Sequence, residues 1–190
     1  MANANNPMGF KPVEIDDVQV HRYFIPSTDS NAMFIGDPVI LAGSADADGT
    51  AATVALATAG TPNPIVGIIV GFAPVPGSLY TKHRPASTNR YCLVMDDPEA
   101  VFEAQENASG GALAAADVAQ NLDFVAGSGN TTTGYSGYML ASNTKAGTAT
   151  CQFKLLRLVA RPDNALGTYA KWLVKINNHQ YAASTGTAGV

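Results

Sequence analysis

Charge is scarce in this chain. Asp, Glu, Lys and Arg make up 14% of its 190 residues, against roughly a quarter in a typical soluble domain, so much of the surface must be Ser, Thr, Asn, Gly and Ala. No run of Lys or Arg occurs that could neutralise a row of phosphates, and the net charge is −4 from 11 basic and 15 acidic residues. A dedicated nucleic-acid binder is not expected. Long apolar runs are also missing. The longest, residues 65–73 (IVGIIVGFA), is about half of the roughly 20 residues that cross a bilayer, which marks a buried strand and gives no reason to expect a membrane partner. The opening MANANNPMGFKP has no basic stretch followed by an apolar one, so a secretory signal is not expected and the chain reads as made and folded in a cytosol. The two cysteines, Cys92 and Cys151, lie 59 positions apart in apolar strand-like runs. Buried free thiols are expected rather than a disulfide.

Chemistry-bearing motifs are missing too. His21, His83 and His179 stand alone, with no H-x-x-H, H-E-x-x-H or C-x-x-C spacing, so no metal is expected. Ser44, Asp46, Asp48 and Gly49 imitate the first half of a calcium loop, yet the twelfth position, which should supply a bidentate carboxylate, is Ala55; a turn between strands is expected. In the segment Gly134-Tyr135-Ser136-Gly137 the second glycine comes one residue too early for a nucleophile elbow. The acid pairs Asp96 with Asp97 and Glu103 with Glu106 read as solvated turn or edge carboxylates, since nothing local places them in a dry pocket. No catalytic residue, cofactor or small-molecule substrate is expected, and the chain does not read as an enzyme.

What is present is a series of short β-favouring runs separated by turn chemistry, which reads as an all-β fold, an antiparallel sandwich or barrel of jelly-roll type. Candidate strands are 21–25, 37–42, 53–58, 64–72, 91–95, 101–106, 135–141, 151–160 and 171–177. Asp48-Gly49 predicts a hairpin turn and Asp96-Asp97-Pro98 another turn. Residues 64–72 are apolar on both faces and belong in a central position. In 171–177, Trp172, Val174 and Ile176 share one face, with Trp172 a core anchor. The alternation in 151–160 changes phase at Leu155-Leu156, as at a β-bulge. Ala112–Leu122 offers at most one short helix of one or two turns. Residues 1–20 look like an extended arm, too poor in large apolar side chains to order alone; 21–183 form the β-rich domain, and 184–190 a flexible tail.

Three stretches, MANANNPMGFKPV with HRYFIPSTDSNAMFIGDPVILAGSADADG, then RPASTNRYCLVMDDPEAVFEAQE, then LLRLVARPDNALGTYAKWLVKINNHQY, resemble small structural proteins from the heads of tailed bacteriophages, the decoration or cement proteins. The resemblance spans roughly residues 1–181. It implies a β-rich structural virion protein, commonly a homotrimer, that sits on the outer capsid surface, bridges neighbouring major capsid protein subunits and carries out no reaction. Synthesis in the cytoplasm of the bacterial host goes with that role.

Two sets of residues are the expected interface. Met8, Phe10, Val13 and Ile15 are apolar anchors by which the arm would lie on a capsid or sister subunit, the competing expectation being an arm packed on its own domain. Lys82, Arg84, Arg90, Arg157, Arg161 and Lys171 would pair with acidic groups on the capsid or across a trimer, or else serve as strand-edge charge that blocks unwanted pairing. Two other roles fit the same composition: a different minor head or tail part, and a carbohydrate-binding β-sandwich on the virion surface using Tyr80, Tyr91, Tyr135, Tyr138 and Tyr181.

Overall fold

The computed structural model describes residues 3–13, 19–182, 186 and 188–189. Twelve strands follow in chain order: β1 Lys11–Pro12, β2 Val20–Ile25, β3 Pro38–Ala45, β4 Ala52–Leu56, β5 Gly67–Phe72, β6 Arg90–Met95, β7 Val101–Gln105, β8 Asn121–Leu122, β9 Phe124–Val125, β10 Met139–Leu140, β11 Phe153–Leu158 and β12 Lys171–Ile176. The only helical elements among the described residues are single 3₁₀ turns at Ala115–Asp117 and Ser142–Thr144. No helix there is long and apolar enough to cross a membrane.

The expected all-β fold takes the form of a closed barrel packed on an open sheet. The barrel runs β2-β4-β3-β5-β6, and the sheet runs β1-β7-β12-β11-β8. All pairings in both are antiparallel except β2 with β4, which meet in parallel at Phe24 and Thr53. Tyr23, Ile25, Val39, Val54, Ile69, Cys92 and Val94 fill the barrel interior. A second core lies between barrel and sheet, where Ile68 and Met95 meet Phe102, Phe153, Trp172 and Val174. Strand β5 therefore buries both faces, Ile68 toward one core and Ile69 toward the other, which is why its sequence is apolar throughout.

Local chemistry accounts for most of the elements. Asp48-Gly49 turns β3 into β4; Gly49 takes φ +69°, and the Asp46 carboxylate accepts the amides of Thr50 and Ala51 at 2.8 and 3.1 Å. Those amides hold the Asp46 carboxyl below its ordinary range, so the calcium-like segment is a hydrogen-bonded hairpin turn. The bulge falls where the phase changes: Leu155 faces Val174 and Arg157 faces Leu173, leaving Leu156 as the extra residue.

Two segments depart from expectation. Ala112–Leu122 yields only one 3₁₀ turn, since Ala119 adopts φ +70° and Leu122, fully buried, enters β8. Of 135–141 only Met139–Leu140 forms a strand. The backbone there presses against residues 127–128, so closely that a Cβ on Gly137 would come within 2.2 Å of the Ser128 carbonyl oxygen.

The N-terminal segment lies along its own domain as far as residue 13. Asn3 exchanges hydrogen bonds with the backbone of Ala165 and Thr168, Gln105 brackets Ala4 and Asn6, and β1 pairs with β7 through Lys11↔Glu103 and Pro12↔Phe102. The expectation that Phe10 reaches another subunit is overturned. Its ring stacks on Phe153 at 4.2 Å and meets Phe124 edge-on at 6.4 Å, inside the core, because burying an aromatic ring in its own domain needs no partner. Ile15 falls outside the described residues. At the other end Ala188 accepts a hydrogen bond from Lys154 and Gly189 donates one to Gly147.

Candidate interaction surface

Residues directly opposed on paired strands point to the same side of a sheet. Across β2 and β6 the inward pair Tyr23↔Cys92 alternates with outward pairs Arg22↔Leu93 and Phe24↔Tyr91, and Val20 continues the outward row while Met95 opposite it is buried in the core between barrel and sheet. An outer wall of an antiparallel sheet is ordinarily polar. This one carries Val20 and Leu93 at 39% and 42% exposure, with Phe24 against Tyr91 at 5.1 Å. The Arg22 guanidinium lies 3.6 Å above the Tyr91 ring, a cation–π contact that roofs the aromatic pair. The wall thus exposes Val20 and Leu93 beside a half-buried aromatic pair with one cation over it.

At the end of the wall where β5 leaves and β6 begins, residues 73–89 form a long connection whose tip exposes Leu79 and Tyr80 at 77% and 83%. Two buried arginines hold it. Arg84 donates from Nε to the Thr88 carbonyl at 2.8 Å, from Nη2 to Pro26 and Asp29 at 2.7 and 2.9 Å, and from Nη1 to Asn31. Arg90 donates to the carbonyls of Ala73, Thr81 and His83. Irregular backbone leaves carbonyls without ladder partners, and a guanidinium supplies five donors in a fixed fork.

A polar cluster closes the opposite end of the wall. Asp96, buried, receives the Tyr23 hydroxyl at 2.6 Å and lies 2.8 and 3.0 Å from His21 Nδ1. Tyr181 reaches the same tyrosine oxygen at 3.1 Å. Burial, with Asp96 beside it, drives the Tyr23 hydroxyl far above its ordinary range, so it stays protonated. Burial likewise lowers His179, which keeps that ring neutral. The cluster ties β2, β6 and the segment after β12 together. Among the described residues no group of three or more His, Cys, Asp or Glu could hold a metal ion.

Comparison with protein-family models, curated proteins and solved structures found no match.

The expected interface residues scatter. Arg84 and Arg90, expected to face a partner, are buried at 0% and 6% exposure with their donors spent on carbonyls, which corrects that expectation. Arg161 forks onto Glu103 with two contacts of 2.9 Å and reaches Asp163, while Lys171 lies 3.9 Å from Asp163; these cations pair within the chain. Arg157 is exposed on β11, Lys82 is exposed in the long connection, Met8 is half-buried and Val13 is exposed at 41%. Of the tyrosines, Tyr80, Tyr135 and Tyr181 are exposed, Tyr91 lies under Arg22, and Tyr138 stacks on Phe124 at 5.5 Å. The residues that sequence reasoning passed over are Val20, Leu93 and Leu79. Val20 and Leu93 share the outward phase of Phe24 and Tyr91 on β2 and β6, whereas Leu79 lies in the long connection, where no strand periodicity marks it.

Proposed function

We propose that this chain is a structural virion protein that attaches to the outside of a tailed-bacteriophage head as a decoration or cement protein, bridging neighbouring major capsid protein subunits, with a homotrimer as its working form. The resemblance of its three sequence stretches to such proteins supports this reading. The observation that carries it is the apolar outer wall of β2 and β6, since exposed Val20 and Leu93 beside the half-buried Phe24 and Tyr91 on a sheet are the kind of surface that a partner covers. A protein that binds only the assembled shell stabilises it by mass action. Three copies engaging three lattice sites gain an avidity of about 10²–10⁴ over one.

The test adds purified protein to heads that lack it and counts bound copies in images of the particles. Wild-type protein is expected to cover the outer surface and raise the temperature at which heads rupture. Val20→Asp with Leu93→Asp, both on exposed positions, is expected to weaken attachment at least tenfold, because each apolar side chain buried at a contact contributes about 1.5–3 kcal/mol. A protein that stays monomeric and ignores the heads overturns the proposal.

A further inference from the structure

Past Gly71, which lies opposite Leu93, the wall gives way to a crevice of about 800 Å³ between the long connection and residues 132–135. We propose that this crevice binds an acidic saccharide, a pyranose ring carrying a carboxylate.

Its size falls within the range of small-molecule sites. One side presents the Tyr135 ring, 44% exposed, near the apolar side chains of Phe72 and Leu79. A sugar ring offers a flat C–H face to such a platform. Thr81, Thr132 and Thr133 also line the crevice; the Thr81 hydroxyl meets that of Ser78 at 2.5 Å and the Thr133 hydroxyl accepts the Tyr135 amide at 3.4 Å, and a hydroxyl both donates and accepts hydrogen bonds as sugar hydroxyls do.

Charge narrows the class further. Lys82 is exposed at the crevice, and Arg90, a buried residue of its lining, gives every hydrogen bond of its guanidinium to a neutral carbonyl. No carboxylate is among the lining residues. In a chain of net charge −4, the crevice therefore presents one exposed cation, Lys82, with the buried Arg90 charge behind it and no counter-ion in its lining, which favours an anionic guest.

The walls are fixed in advance. Gly134, at φ +83°, packs so closely on Lys82 that a Cβ there would meet the lysine Cβ at 2.5 Å. Its carbonyl accepts the Ile35 amide at 2.9 Å, and its own amide donates to Asn130 at 2.7 Å. The Asn130 side chain in turn accepts the amides of Thr132 and Thr133 at 2.9 and 3.0 Å. A preformed site loses little freedom on binding. An extended acidic peptide, which would dock by adding a strand, is the competing guest: of β5 only Gly67 and Ile68 pair with β3, while Gly71 and Phe72 beside the crevice pair with β6 alone, and the titration includes a peptide for that reason.

The experiment is calorimetric titration of the purified protein with a glucuronate-containing disaccharide, its neutral glucose counterpart and a hexaglutamate peptide, at low and high salt. The acidic disaccharide is expected to bind at least tenfold more tightly than the neutral one at low salt, with a margin that shrinks as salt rises. Lys82→Gln, at an exposed position, is expected to erase the margin, and Tyr135→Ala to weaken the acidic disaccharide at least fivefold without moving Tm. The inference is overturned if neither sugar binds, if the two bind equally, if Lys82→Gln leaves the margin intact, or if the peptide outcompetes both. Attachment to phage heads is read separately, so either result leaves the proposed function to its own test.

Discussion

Asp37 sits where three parts of the chain meet. Gly36 before it is pressed against Met8 and Gly9, the Phe10 amide donates to the Gly36 carbonyl at 3.0 Å, and the carboxylate accepts the Phe34 amide at 2.7 Å. Burial pushes its carboxyl up to about 6, against the opposing pull of the Ser136 hydroxyl and the Phe34 amide. In the folded chain this group holds its proton over a pH range in which the unfolded chain has already lost it. Its contribution therefore favours folding at low pH, declines as pH rises from about 4 to 6, and is lost above that range. Asp37→Asn keeps an oxygen for Phe34 and carries no charge, so it is expected to stabilise the protein at pH 7.5 by on the order of 1–3 kcal/mol and to remove the slope between pH 4 and 6. Chemical denaturation across that range measures both. Nothing beside Asp37 in the sequence announced this environment: it reads as an ordinary residue at a strand start, and the groups that dry it come from positions 8–10 and 136–138. Arg84 and Arg90 were visible as charges for the same reason that their burial was not, since the carbonyls they satisfy belong to remote turns.

Among the elements, the connection 73–89 depends on side chains for its order. Arg84 gathers carbonyls from 26–31 and from Thr88, and the backbones of Met33 and Arg84 exchange two hydrogen bonds of 2.8 and 2.9 Å. Arg84→Met would leave those carbonyls without donors, and is expected to cost about 2–4 kcal/mol and to open residues 73–89 to protease. Arg84→Lys is expected to rescue little, because an ammonium cannot span the fork. Denaturant midpoints and limited proteolysis of the two variants give the answer. Strands such as β5, β6, β11 and β12 were legible because their periodicity is local, down to the extra residue at Leu156. The failures at 112–122 and 135–141 have a shared cause. Alanine and glycine mark no face, and the close backbone contact of Gly127 with Gly137 is a property of two segments, not of either one.

For the molecule as a whole, the barrel has a core of its own and shares a second with the sheet, and the free thiols report on whether the two layers separate. Cys92 lies inside the barrel and Cys151, also buried, just before β11. Burial pushes the Cys92 thiol up to about 12 and raises Cys151 as well. Neither is expected to react with a thiol reagent in the native state, and both are expected to become reactive at one denaturant concentration; two separate midpoints would mean that barrel and sheet unfold independently. The all-β class could be read from spacing alone, whereas the strand order could not, because a parallel contact such as Phe24 with Thr53 leaves no local mark. The placement of β1 reaches beyond stability. Its partner strand lies some ninety positions downstream, and Phe10 rests on Phe153. At a ribosome adding about 5–20 residues per second, roughly seven to thirty seconds of synthesis separate the Phe10 ring from the Phe153 ring that it stacks on, so β1 is made well before the core that receives it is complete.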